Sequence, residues 1–188
     1  MTENRQMKPI HAQRIAGAIL LLLLAAGCST GWNPDEANRA GREAQETIAR
    51  FKKADAGLQA FFDQAYAYAV FPNIGKGAMV VGGAYGKGKV FRGGRIIGST
   101  TMTQVTVGAQ LGGQSYSELV FFRDQEAFAR FRSNQLEFDA QVSAIAARYG
   151  AAAKADYNKG VAVFVMPKAG LMFEASIGGQ AFTFTPDS

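Results

Sequence analysis

Apolar residues follow three regimes along the 188 positions. They are continuous from Ile15 to Gly27, "IAGAILLLLLAAG". They then recur at three- and four-residue steps, at Ala37, Ala40, Ala44, Ile48 and Phe51, which is the stripe of one helix face. Beyond Tyr66 they alternate with polar residues, the period of half-buried strands. The helical stripe has a start signal: Asn33 is a good N-cap, Pro34 suits the first helical position, and Asp35 and Glu36 fill the first turn. Arg50, Lys52 and Lys53 stand near its end, where cations complement the helix dipole. Because the stripe is alanine-rich, it reads as an arm docked on the domain.

A second helix is predicted over Ala56–Gln64 with Asp55 as its cap, and a central one where Asp124 precedes "QEAFARFRS". Strands are predicted at Ala67–Phe71, Ala78–Tyr85, Lys89–Arg92, Thr101–Gln110, Ser115–Phe122, Val161–Met166, Leu171–Ile177 and Ala181–Thr185. Glycines and prolines separate them, with Pro72–Gly77, Gly93–Gly94 and Pro167–Gly170 as turns. Leu136–Ala146 alternates and reads as strand, although its alanines also suit a helix. "AVFPNIGKGAM" from Ala69 echoes "AVFVMPKAGLM" from Ala162, as two strand–turn–strand units or by chance. The sum is an α+β fold: an antiparallel, β-rich sandwich or partly closed barrel with N-terminal helices and one central helix.

The first regime is of another kind. Arg5, Lys8 and Arg14 outweigh Glu3 before it, and its length falls short of the roughly 20 apolar residues that span a bilayer. A basic start, a short apolar centre and small residues at the boundary describe an export signal. "LLAAGC" resembles the lipobox of bacterial lipoproteins, which implies that Cys28 is lipidated and begins the mature chain; the bland alternative is an ordinary signal with an incidental cysteine. In such lipoproteins Ser29 favours the outer membrane, facing the periplasm. The organisation expected is a signal over 1–27, a lipidated tether over 28–33 and a single domain over 34–188.

Composition narrows the chemistry. Without Glu3, Arg5, Lys8 and Arg14, the 20 basic and 15 acidic residues become 17 and 14, too mild a balance to point to nucleic acid. His11 is the one histidine and Cys28 the one cysteine. The region after Cys28 therefore has no materials for His–Cys zinc sites, Ser–His or Cys–His nucleophiles, or disulfides. Glu118, Glu137, Asp139 and Glu174 could serve carboxylate chemistry, but no spacing selects a pair. No cofactor, metal or catalytic residue is expected, and the domain reads as non-enzymatic.

The glycine-rich "GGAYGKGKVFRGGR", Gly82–Arg95, raises the question of phosphate binding. A GxxxxGK[ST] loop fails because Val81 stands where the first glycine is needed and Gly88 where Ser or Thr would hold magnesium. GxGxxG fails at Phe91. The glycines read instead as β structure permitting turns, bulges or close approach. Lys76, Lys87, Lys89, Arg92 and Arg95 form a candidate anionic-lipid contact, against the alternative of a solvated rim.

"AVFPNIGKGAMVVGGAYGKGKVF", Ala69–Phe91, resembles the signature of SYLF domains, a lipid-binding family found in bacterial lipoproteins and in eukaryotic actin-patch and phosphoinositide-binding proteins. "GAQLGGQSYSELVFF" and "KGVAVFVMPKAGLMFEASIGG" resemble its later blocks. The resemblance implies a non-catalytic phospholipid-binding domain, with the membrane reached through acylated Cys28 and the basic residues. A scaffold that binds another, unidentified protein is the alternative.

Overall fold

A computed structural model describes residues 34–78, 81–107, 114–133, 136, 144–169 and 179–187. Expectations for the leader, Cys28, the tether, Leu171–Ile177 and most of Leu136–Ala146 lie outside these residues. Asp35–Ser188 cluster as one compact unit, and both hydrophobic cores lie within it. The element order is α1 (Pro34–Ala54), α2 (Leu58–Gln64), β1 (Ala67–Ala78), β2 (Val81–Arg92), β3 (Arg95–Val107), β4 (Gln114–Phe122), α3 (Gln125–Arg132), β5 (Ile145–Ala146), a 3-10 turn (Ala152–Lys154), β6 (Val161–Ala169) and β7 (Gln180–Pro186). The fold is α+β, as expected.

The seven strands of the described residues form one sheet in the order β5-β6-β4-β1-β2-β3-β7. It is antiparallel except where the two residues of β5 run parallel to β6. The sheet is open, and it curls. Gln180 on β7 donates from Nε2 to Oε2 of Glu118 on β4 at 3.1 Å, although β1, β2 and β3 lie between those strands. In a flat sheet the two would stand about 19 Å apart, beyond the reach of both side chains together. Of the two architectures expected, the sandwich and the partly closed barrel, this single curled and open sheet answers to the second.

Glycine makes this curl possible on the inner face. A Cβ on Gly88 would lie 2.6 Å from the carbonyl oxygen of Val70 and 2.8 Å from the Phe71 ring; one on Gly98 would lie 2.6 Å from the Phe184 ring. The missing side chains are the space into which neighbouring strands fold aromatic rings. Ala69, Phe71, Ile74, Val90, Met102, Val120, Phe122 and Phe182 fill the interior, joined by Phe128 and Phe131 of α3. Asp124 caps α3 as expected, with Oδ1 accepting from Ala127 N at 2.9 Å.

Several expectations need correction, among them the Pro167–Gly170 turn, since β6 runs on through Pro167 to Ala169. Pro72–Gly77 is no turn: β1 runs through it, and a bulge between Val70 and Asn73 absorbs the irregularity. Proline suits a bulge because it has no ladder donor to lose, and its carbonyl accepts from Ser117 Oγ at 2.8 Å. The segments Ala78–Tyr85 and Lys89–Arg92 fuse into one strand, since Gly86 and Gly88 stay in the ladder. Nor does Asp55 cap a helix at Ala56. The helix begins at Leu58, and the buried Asp55 carboxylate accepts from Gly57 N at 3.0 Å and from Ala152 N at 2.7 Å. The expected Gly93–Gly94 turn is present, with φ of 56° and 76° as a two-residue hairpin turn requires.

Candidate lipid-contact face

Alternation along β2 puts Tyr85, Lys87, Lys89 and Phe91 on the outer face of the sheet, opposite the interior. That face has two halves. Toward the β2–β3 hairpin, Tyr68, Val70, Phe91, Leu119, Phe121, Ala162 and Phe164 form a core with Ala44 and Phe51 of α1, Leu58 and Phe61 of α2, and Ala152. Phe121 is its hub, with ring centroids 5.6 Å from Phe61, 4.9 Å from Phe62 and 5.9 Å from Phe164.

The other half is bare. Asn73, Gly75, Gly83, Tyr85, Lys87, Thr103, Ala181 and Thr183 are all exposed there, without an acid among them. Their register places them side by side: Asn73, Lys87, Thr101 and Thr183 form one cross-strand row, and Gly75, Tyr85, Thr103 and Ala181 the next. The hydroxyls of Thr101 and Thr183 hydrogen-bond across it. Tyr85 is 51% exposed beside the Lys87 row.

The five basic candidates separate on this frame. Lys87 projects from the bare half. Lys89 sits at the border, only 9% exposed, and its Nζ donates to Ser99 Oγ at 2.9 Å. This Ser–Lys contact joins direct register partners, with the ammonium as donor, and so works as a cross-strand tie. Arg92 and Arg95 are exposed cross-strand partners at the hairpin, the Arg92 guanidinium lying 4.2 Å from the centre of the Tyr66 ring. Five residues of strand put them about 17 Å from Lys87. Lys76 belongs to β1 and pairs with Ala84 and Gln114; its side chain lies outside the description. The five thus do not converge on one spot.

Of the carboxylates considered, Glu118 is fully buried inside the curl, while Glu137, Asp139 and Glu174 lie outside the described residues. Burial raises the Glu118 pKa to about 8, an effect only partly offset by the Gln180 hydrogen bond. Burial, then the Glu118 charge, also raises that of nearby Tyr116. Among the described residues, Glu118 Oε1 and Gln180 Oε1 have no hydrogen-bond partner. Among the described residues no three His, Cys, Asp or Glu gather as metal ligands, and no helix is long and apolar enough to cross a membrane.

Sequence reasoning missed Tyr85 and the threonine rows. Alternation could have found the faces, but only cross-strand register shows which half the helices leave uncovered.

Residues 103–188 match the family model described as Ysc84, Las17-binding protein actin regulator. Over that part of its length the chain is thus similar to the Ysc84, or SYLF, family. Beta cell expansion factor A of Aeromonas veronii is 27% identical over 147 residues, covering 77% of this chain and 55% of that protein. The chain therefore spans about half the length of that curated relative.

Proposed function

We propose that the domain is a non-catalytic phospholipid-binding module of the bacterial envelope, held by acylated Cys28 at the outer membrane on its periplasmic side. The family match over residues 103–188 carries the reading. The bare half of the sheet supports it, because Lys87 and Tyr85 stand there among described exposed residues that include no acid. One exposed cation near an anionic leaflet contributes about 1 kcal/mol before screening. That is weak in free solution, but a lipid anchor would hold the domain beside the bilayer at high effective concentration.

The test is co-sedimentation of residues 29–188, which lack Cys28, with anionic and with neutral vesicles across salt concentrations. Salt-sensitive pelleting with anionic vesicles is expected, and Lys87→Glu should weaken it about fivefold or more while the melting temperature stays unchanged. Lys89 is the wrong residue to reverse, since a buried carboxylate facing Ser99 would unfold the border. Absence of binding to either vesicle would sink the phospholipid reading. The scaffold alternative would gain if the same lipid-free protein then captured an envelope protein.

A further inference from the structure

Tyr149 is 94% exposed, far more than Tyr85 at 51%. Scattered surface aromatics need no explanation, but this one stands on a built turn. Gly150 takes φ 76°, Ala151 N donates to Arg148 O at 2.9 Å, and Ala147 N donates to Val165 O at 2.8 Å. On the far side of the turn, the buried Asp55 carboxylate accepts from Ala152 N at 2.7 Å, which also holds its pKa below the usual value. The turn is fastened at both ends, so the backbone that carries Tyr149 is held at the surface.

Cations flank the ring. Arg148 and Lys154 line a depression of about 470 Å³ with Ile145, Tyr149 and Gly150, and among the described residues no acid lines it. Asp156, two residues past Lys154, accepts from Tyr157 N at 2.7 Å. An amphipathic ring between cations matches the bilayer's headgroup layer, where tyrosine rings reside and where lipid phosphates meet basic side chains.

We propose that the Arg148–Tyr149–Gly150 turn is a membrane anchor: Tyr149 enters the interfacial layer of an anionic bilayer, and Arg148 and Lys154 take lipid phosphates in the depression beside it. This rests on the phospholipid reading above but names a site distinct from the β2 lysines.

Residues 35–188 contain no tryptophan, because Trp32 is the only one in the chain. In residues 29–188 carrying Trp32→Phe, Tyr149→Trp and Tyr85→Trp therefore each give a single tryptophan reporter. With phosphatidylglycerol-rich vesicles, the indole emission of the Tyr149→Trp variant should shift to the blue and be quenched by a bilayer-confined quencher. Tyr149→Ser and the pair Arg148→Glu/Lys154→Glu should each weaken co-sedimentation, the pair by more than about fivefold, with melting temperatures unchanged. If the parent pellets with these vesicles while the Tyr149→Trp reporter stays unshifted and Tyr149→Ser binds like the parent, the anchor is overturned and the phospholipid reading survives. A shift in the Tyr85→Trp variant alone would transfer the contact to the bare half. If the parent does not bind, both ideas fall together.

Discussion

The two halves of the outer sheet face are built from the same strands, yet one is sealed and the other open. In the sealed half, alternate positions carry Tyr68, Val70, Phe91, Leu119 and Phe121, and helices cover them. In the open half the same alternation yields Asn73, Gly75, Tyr85, Lys87, Thr101 and Thr103. The switch occurs inside single strands, at the β1 bulge and at the tie between Lys89 and Ser99. Cover thus follows the side chains rather than the backbone. A strand can belong to a core at one end and offer a contact surface at the other.

Removing the hub of the sealed half should have the largest effect. Phe121→Ala should cost about 3–5 kcal/mol in urea unfolding, because four surrounding rings cannot close the void. A loss below about 1 kcal/mol would show that the helical cover does not seal that half.

The inner face sharpens the contrast, since Glu118 is polar but fully buried. Its pKa is raised to about 8 in the folded chain, against an ordinary 4.5. Between those values the folded state keeps a proton that the unfolded state has lost. Stability from this group is therefore full below about pH 4.5 and falls as pH rises toward 8, by up to about 1.4 kcal/mol per pH unit. Glu118→Gln should flatten that limb in urea titrations run at intervals between about pH 5 and pH 8. An unchanged slope would mean that Glu118 ionises in place.

The smallest effect belongs to the open half. A Cβ on Gly75 would meet nothing within 4 Å, so Gly75→Ala should stabilise the fold by about 0.4–1 kcal/mol through the unfolded chain. At Gly88 the same change should destabilise by about 1–3 kcal/mol, because Val70 and Phe71 already occupy that space. Equal effects at the two sites would erase the distinction between an open outer face and a tightly curled inner one.

Much of the fold was legible in local signals. Pro34 opens α1, Asp124 caps α3, and Gly93–Gly94 turns the β2–β3 hairpin. β1 was misread because Pro72 and Gly75 look like turn residues unless the partner strand is known to absorb a bulge. Lys87 and Lys89 share a face, as alternation implied, but nothing local says that one is in water and the other held by Ser99. Tyr149 gave even less signal. The turn that carries it is fastened by an aspartate 97 residues before Ala152, a pairing that no periodicity encodes.

That same bond between Asp55 and Ala152 has an entropic side as well as a geometric one. Joining groups so far apart along the chain costs loop entropy before any contact repays it. Asp55 can find its second donor only after the chain has looped back at Ala152. The lid over the sealed half therefore carries a loop-closure cost that the packing of α1 and α2 on the strands must repay.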